Sequence, residues 1–221
     1  MPKPYNALND LSETQATALP ENRTVASVLR LCGPKVEAKF AKLCHAQGIA
    51  YPPQRIRLLA FKQERLLDVW GANETGSYSL IAEYPIQAAS GTLGPKRREG
   101  DRQVPEGFYR LTSLNPMSRF HVSLRVDYPN ADDIAANPGV PHNKLGSDIY
   151  VHGGAASIGC LAMGDAVIEE IFCLVAQTEP GKREIWITPV DPRHASMPET
   201  DDPNVRERYH RLTEGIAAMR R

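Results

Sequence analysis

Asp148-Ile-Tyr-Val-His-Gly-Gly-Ala-Ala-Ser-Ile-Gly-Cys-Leu-Ala-Met-Gly-Asp165 is the stretch on which the reading of this chain turns. An apolar run ends in His152, small residues follow, and Ser157-Ile158-Gly159-Cys160 comes next. Ile149 to His152 has the β-branched and aromatic make-up of a strand. Asp165 to Gln177 has helical periodicity, with Asp165 in the N-cap position. His152 and Cys160 stand eight residues apart, a separation over which a chain can fold back and bring an imidazole to a sulfur. The thiolate is the nucleophile in cysteine chemistry, and a free thiol with a pKa of about 8.5 is mostly protonated near neutral pH. A neighbouring histidine can accept that proton. Gly159 permits a strained turn and close approach of a substrate to the backbone. The N–H groups of Gly159 and Cys160 are then candidates for holding an oxyanion.

These residues carry a resemblance. His152-Gly153 followed by Ser157-Ile158-Gly159-Cys160 resembles the catalytic motif of the YkuD-type L,D-transpeptidases, which remodel bacterial peptidoglycan. Upstream, Gly94 to Tyr109, ending Pro-Glu-Gly-Phe-Tyr, is similar to the family's glycine-rich segment and strand entry. Asn115-Pro-Met-Ser-Arg-Phe-His121 and Tyr128-Pro-Asn130 resemble a subgroup near the enzyme that detaches Braun lipoprotein from peptidoglycan. The resemblance implies a nucleophile at Cys160, a base at His152 and, through its carbonyl, an orienting role for Gly153. Two positions depart from the general pattern. Ile158 stands where histidine is usual before Gly-Cys, and Ala162 stands where arginine is usual two residues after the cysteine. Both departures match the lipoprotein-detaching subgroup and imply cleavage at a diaminopimelate amide rather than crosslinking. Crosslinking, or exchange of D-amino acids, is the alternative.

Working outward, residues 1–22 read as a polar, mobile segment. Thr24 to Leu31 and Lys35 to Gln47 read as two helices separated by Gly33-Pro34, with Val36, Phe40 and Leu43 on one apolar face. Arg55 to Gln63 and Leu66 to Gly71 predict a hairpin, and Tyr78 to Tyr84 a third strand. A loop rich in glycine, proline and charge spans Gly91 to Glu106. Further strands are expected at Phe108 to Ser113, Phe120 to Tyr128 and Glu184 to Pro189, and a final helix at Asn204 to Met219. The organisation expected is a helical N-terminal extension over 23–54, a catalytic domain over 55–192 and a helical C-terminal extension over 193–221. The fold class expected is mainly β with flanking helices, an α+β arrangement around an L,D-transpeptidase-like sandwich or barrel core.

Several further residues are candidates. Ser157 either caps the turn or lines the site. By strand alternation His121, Ser123 and Arg125 share one face, either solvated or lining a cleft. Tyr150 alternates with His152 onto the same face. Arg119, inside the Asn115 to His121 motif, is a substrate-binding candidate with His121 and Tyr150. Arg97, Arg98, Asp101 and Arg102 read as a solvated loop whose basic residues are also suited to stem-peptide carboxylates.

Composition narrows the classes without choosing among them. The 221 residues are 42% hydrophobic and carry 26 basic and 26 acidic residues. A balanced charge gives no global field toward nucleic acid or an anionic membrane. No apolar run is long enough for a transmembrane helix. The resemblance implies the bacterial envelope or periplasm and peptidoglycan stem peptides, with a linked lipoprotein as a further partner. Met1 to Asp10 lacks the apolar core of a signal peptide, so either a signal was removed before this numbering or the protein is cytoplasmic or exported by another route. Cys32, Cys44, Cys160 and Cys173 match no zinc spacing, and no metal or organic cofactor is called for. Cys173 reads as a core residue. Cys32 and Cys44 can pair in an oxidising compartment. Two rival classes are a non-catalytic peptidoglycan-binding module, which has no need of a His152–Cys160 pair, and a metal protein using His121, His152 and Cys160.

Overall fold

The computed structural model describes residues 15–219, so residues 1–14 of the polar N-terminal segment lie outside the described residues. Helix α1 runs Val25–Ala46 as one unbroken element, opened by a reciprocal cap between Thr24 and Ser27. The two helices expected on either side of Gly33-Pro34 are therefore one. A proline inside a helix removes a hydrogen bond and clashes with the preceding turn, at roughly 3 kcal/mol. It also drives the residue before it out of the α region through contact with that residue's Cβ. Gly33 has no Cβ, and an added one would meet nothing within 4 Å beyond its chain neighbours. The remaining cost is offset by burial, because Val28, Cys32, Val36, Phe40 and Cys44 recur every four residues and are all buried. Cys32 and Cys44 are free thiols on this one helix. Twelve residues of helix separate them by about 18 Å, far beyond the roughly 7 Å a disulfide can bridge.

The sheet strands are β1 (Arg55–Phe61), β2 (Leu66–Ala72), β3 (Ser79–Pro85), β4 (Ala88–Ala89), β5 (Gly107–Asn115), β6 (Ser123–Val126), β7 (Tyr150–His152), β8 (Leu161–Ala162) and β9 (Arg183–Thr188). They pair in the order β3-β2-β1-β9-β5-β6-β7-β8-β4, with β1–β9 and β7–β8 parallel and the rest antiparallel. Strand β5 belongs to two halves. Residues Gly107 to Arg110 pair with β9, and Leu111 to Asn115 with β6, across a bulge between Leu111 and Ser113. A bulge bends and twists a strand; here the mixed sheet curls into a half-barrel flanked by helices. The expected class of a mainly β core with flanking helices is what the chain adopts.

The elements alternate so that both faces of the first half are covered. Ile56, Leu58 and Ala60 of β1 enter the main core, while Leu59 and Phe61 enter a second cluster. Helix α3 (Asp165–Gln177) fills the main core between α1 and the sheet, and Val167 to Val175 are buried without interruption. A helix buried all round needs no polar stripe. It keeps Glu169 and Glu170 only because both are paired: Glu170 meets Lys39 at 3.0 Å and accepts from Tyr84. The cap of α3 is Gly164 at φ 78, not Asp165. The Asp165 carboxyl instead accepts from the Gly154 amide at 2.7 Å. A short helix, α2 (Ala131–Ala135), follows β6. Helix α4 (Pro203–Ala217), capped by Asp202, lays Tyr209, Leu212 and Ile216 on the second face.

Candidate active site

Three short strands build the site, and their register follows from burial. Leu124, Val151 and Leu161 form one row across β6, β7 and β8, and none is exposed. Burying such a side chain stabilises by about 1.5–3 kcal/mol each. A slip of one residue would turn Arg125 and Tyr150 into the core, so the pairing is strongly specified. The alternate row is Ser123, His152 and Ala162, and it faces the other way. Cys160 immediately precedes β8 and shares the parity of Ala162, so thiol and imidazole share a face of adjacent parallel strands.

His152 is buried, 3% exposed, with its Nδ1 2.6 Å from the carbonyl oxygen of Gly153. A carbonyl only accepts, so Nδ1 carries the hydrogen and Nε2 keeps its lone pair. Burial pushes the imidazole pKa down, against the opposing pull of that hydrogen bond. The ring is therefore a neutral base with the tautomer a proton acceptor needs. Phe120 stacks beside it, centroids 4.7 Å apart.

Burial pushes the Cys160 thiol up, reinforced by the Asp148 charge and opposed by a hydrogen bond from the Tyr150 backbone. The Sγ lies 3.6 Å from the Asp148 carbonyl oxygen. Both directions favour thiol and neutral imidazole over thiolate and imidazolium in the resting pair. The two amides expected to hold an oxyanion already have partners: Gly159 N–H donates to Ser90 Oγ at 2.6 Å and Cys160 N–H to Ser157 Oγ at 3.1 Å. Ser157 in turn donates to the Cys160 carbonyl at 2.7 Å, closing the turn in which Gly159 sits at φ 106.

Gly153 is held from several sides. Its amide donates to the Phe120 carbonyl at 3.0 Å, and an added Cβ would lie 2.5 Å from Asp165 Oδ1 and 2.8 Å from both Phe120 O and His121 Cβ. His121 is not on the strand face with Ser123 and Arg125. It precedes β6, at φ 69, and reaches to α3, where its Nε2 sits 2.6 Å from Glu169. That hydrogen bond raises the imidazole pKa, against desolvation. Glu169 also accepts from the Thr17 amide and hydroxyl at 2.7 and 2.8 Å, while Arg23 donates to the Ser118 and His121 carbonyls. Residues 15–24 therefore brace the loop that presents Phe120 to His152.

Tyr150 lies in β7 two residues before His152, its hydroxyl 3.4 Å from Asp148. Arg119 is exposed at the tip of the loop before β6. The Gly91–Glu106 loop is pinned rather than loose: Asp101 accepts from Lys96 at 2.6 Å and from the amides of Arg97, Arg98 and Gln103. Arg97 pairs with Asp202 at 2.9 Å, so it is not a free solvated cation. Beneath the loop, buried Glu106 accepts from Lys62 at 2.8 Å, from the Gly94 amide and from Tyr209. Among the described residues no group of three or more His, Cys, Asp or Glu is arranged to hold a metal ion, and no helix is long and apolar enough to cross a membrane.

Sequence reasoning missed Ser90, Asp148, Asp165, Glu169 and Phe120 as parts of the site. For Ser90, 69 residues from Gly159, no local signal exists. Asp148 gave one, as a non-glycine residue directly after Gly146-Ser147 and before a strand, where a turn is expected.

The model of the YkuD L,D-transpeptidase catalytic domain matches residues 55–190. The chain belongs to this family. It is 41% identical over 117 residues to YafK of Escherichia coli (strain K12), named as a candidate L,D-transpeptidase; the match covers 52% of this chain and 45% of YafK. The chain thus spans under half the length of the curated relatives it matches. Among solved structures, the helical cell shape determining protein Pgp2 from Campylobacter jejuni aligns with TM-score 0.51 at 24% identity, covering 67% of this chain and 51% of Pgp2. Its K307A mutant aligns with TM-score 0.52 at 22% identity, covering 75% of this chain and 56% of that one. These two likenesses show the fold.

Proposed function

We propose that this L,D-transpeptidase-family chain is a cysteine acyl-transfer enzyme that opens a diaminopimelate amide in peptidoglycan stem peptides, in the cell envelope, mainly by hydrolysis. The observation that carries it is the shared face of His152 and Cys160 on parallel strands, with His152 Nδ1 committed to the Gly153 carbonyl and Nε2 left as the acceptor. Family membership supports the substrate class.

The Cys160 sulfur adds to the amide carbonyl as its proton passes to His152 Nε2, forming the C–S bond. The Gly159 and Cys160 amides hold the resulting oxyanion once the Ser90 and Ser157 hydroxyls that accept from them at rest turn aside. The C–N bond then breaks, and the amine leaves with the proton from His152. Water, deprotonated by the same nitrogen, adds to the thioester, releases the acid and returns the hydrogen to sulfur. No metal or organic cofactor enters these steps.

Hydrolysis is favoured by what flanks the thiol. Ile158 is 78% exposed, and Ala162, opposite His152, is fully buried, so neither of these positions offers a charged group to hold a second stem peptide as acceptor. Supplying a tetrapeptide muropeptide with excess acceptor amine and separating the products by mass tests the reading. Shortened monomer and free D-alanine are expected; from a stem peptide carrying a linked lipoprotein the leaving group would be the lysine amine. Predominant dimer or D-amino-acid exchange product would make the chain a transpeptidase. No covalent turnover with retained peptidoglycan binding would make it a binding module.

A further inference from the structure

A second constellation stands beside Cys160 that the thiol–imidazole chemistry does not use. Arg125 of β6 is the Cα partner of Tyr150 in β7. Tyr150 precedes Val151, whose partner Leu161 follows Cys160. Arg125, Tyr150 and Cys160 therefore fall in one row across three strands, next to the row of Ser123, His152 and Ala162 and on the same face. At a strand spacing near 4.8 Å, two strands place the Arg125 and Cys160 backbones about 10 Å apart.

Asp148 completes the group. Its carbonyl oxygen is 3.6 Å from the Cys160 sulfur, and its carboxyl lies 3.7 Å from an Arg125 guanidinium nitrogen and 3.4 Å from the Tyr150 hydroxyl. Its φ of 58 lies in the left-handed region, which Asp enters more readily than most residues. The Arg125 and Asp148 side chains are 45% and 72% exposed, and an ion pair that open adds little to stability. What the geometry provides is one cation and one anion, side by side and open to solvent, within two strand spacings of the nucleophile's backbone.

We propose that Arg125 and Asp148, with Tyr150 between them, form the subsite for a free α-amino-carboxylate at the end of a substrate side chain, while the other end of that residue presents its carbonyl to Cys160. A carboxylate alone would need only Arg125, and an ammonium alone only Asp148. An α-amino acid carries both on one carbon and can exchange the Arg125–Asp148 pair for two pairs of its own. Arg125 takes the carboxylate through its planar fork, and Asp148 takes the ammonium. The row geometry sets the reach, since a diaminopimelate side chain carries its free amino-acid end three methylenes beyond the α-carbon next to the attacked carbonyl. This assignment deepens the function proposed above and rests on it for the position of the attacked carbonyl.

The test uses two tetrapeptide muropeptides, one with diaminopimelate and one with lysine in its place, which keeps the ammonium and lacks the distal carboxylate. For the diaminopimelate substrate, Arg125→Gln should raise KM at least tenfold with kcat within about twofold. For the lysine substrate the same variant should leave KM unchanged. Asp148→Asn, which tolerates the left-handed backbone, should raise KM on both. Equal KM effects of Arg125→Gln on the two substrates, or none, would overturn the subsite. Calorimetry of the two free tetrapeptides with Cys160→Ala, alone and combined with Arg125→Gln, separates this from failure of the proposed reaction. A tenfold loss of affinity on Arg125→Gln confined to the diaminopimelate peptide keeps the subsite even if wild type turns over neither. Equal affinities with and without the Arg125→Gln substitution would discard it.

Discussion

Gly153→Ala probes how tightly the site is built around its base. The residue is not in the left-handed region, so backbone strain plays no part; the effect comes from space alone. The new Cβ would lie 2.5 Å from Asp165 Oδ1 and 2.8 Å from Phe120 O and His121 Cβ. Reaching ordinary contact near 3.5 Å demands shifts of roughly 0.7–1 Å from two separate segments, the Phe120-His121 loop and the start of α3. Asp165 cannot turn aside without releasing the Gly154 amide it accepts at 2.7 Å. Overpacking costs about 1–3 kcal/mol, and a lost hydrogen bond to a charged acceptor about 1.5–3 kcal/mol. Reduced freedom of the unfolded chain returns about 0.4–1 kcal/mol. The net loss is about 1.5–5.5 kcal/mol, or roughly 3–22 °C in Tm for a chain of this size. The same displacement moves the carbonyl that fixes His152, and a misplacement near 1 Å can cost about 100-fold in rate. Thermal unfolding followed by circular dichroism reads the first effect, and muropeptide cleavage by the folded variant well below its Tm reads the second. A variant with wild-type Tm and wild-type rate would refute the crowding and the role given to the Gly153 carbonyl together.

Glu169→Gln should make stability less dependent on pH. His121 has its pKa raised in the fold by Glu169, so its contribution is full below the unfolded value of about 6.5 and fades as pH rises through the folded value. Urea titrations at several pH values should show the wild-type advantage over the variant shrinking as pH rises above about 6.5; a constant or widening gap contradicts the pairing. Pro34→Ala, at an exposed position inside α1, should stabilise by about 2 kcal/mol, the restored helical bond and relieved clash exceeding the gain in unfolded-chain freedom. A lower urea midpoint for that variant would show that Pro34 contributes packing. Alkylation of Cys160 by iodoacetamide should climb continuously with pH through and beyond about 8.5, the ordinary thiol value, since burial holds the thiol protonated. A plateau near pH 6–7 would instead reveal a resting thiolate–imidazolium pair.

How far the sequence carries the account depends on where each signal lies. The hairpin β1–β2 and helix α3 are legible because their patterns are local: α3 begins at Asp165 and ends at Gln177, as its periodicity suggests. The helix break expected at Gly33-Pro34 does not form because the two breakers cancel in part, the glycine removing the Cβ that proline would have struck, and because buried packing on α3 outweighs the rest. Strand β6 is shorter than its alternation suggests for a different reason. His121 alternates correctly in sequence, yet a contact with Glu169, 48 residues away, pulls it out of the strand. The cap of α3 moves by one residue because the Asp165 carboxyl is claimed by the Gly154 amide. At the site, the motif around Cys160 locates the thiol and imidazole, while Ser90 and the buried Lys62–Glu106 pair beneath the loop come only from folding. Long-range hydrogen bonds of this kind leave no periodicity, so no reading of a single chain anticipates them.

The central claim is that Cys160 carries the acyl group. Intact-mass spectrometry of the protein mixed rapidly with a tetrapeptide muropeptide and quenched in acid tests it directly. The account predicts a transient adduct equal to the acyl portion of the substrate, mapped to Cys160 by proteolysis, absent in Cys160→Ala and retained in Cys173→Ala. Product formation by folded Cys160→Ala at the wild-type rate, or an adduct on any other residue, would contradict it.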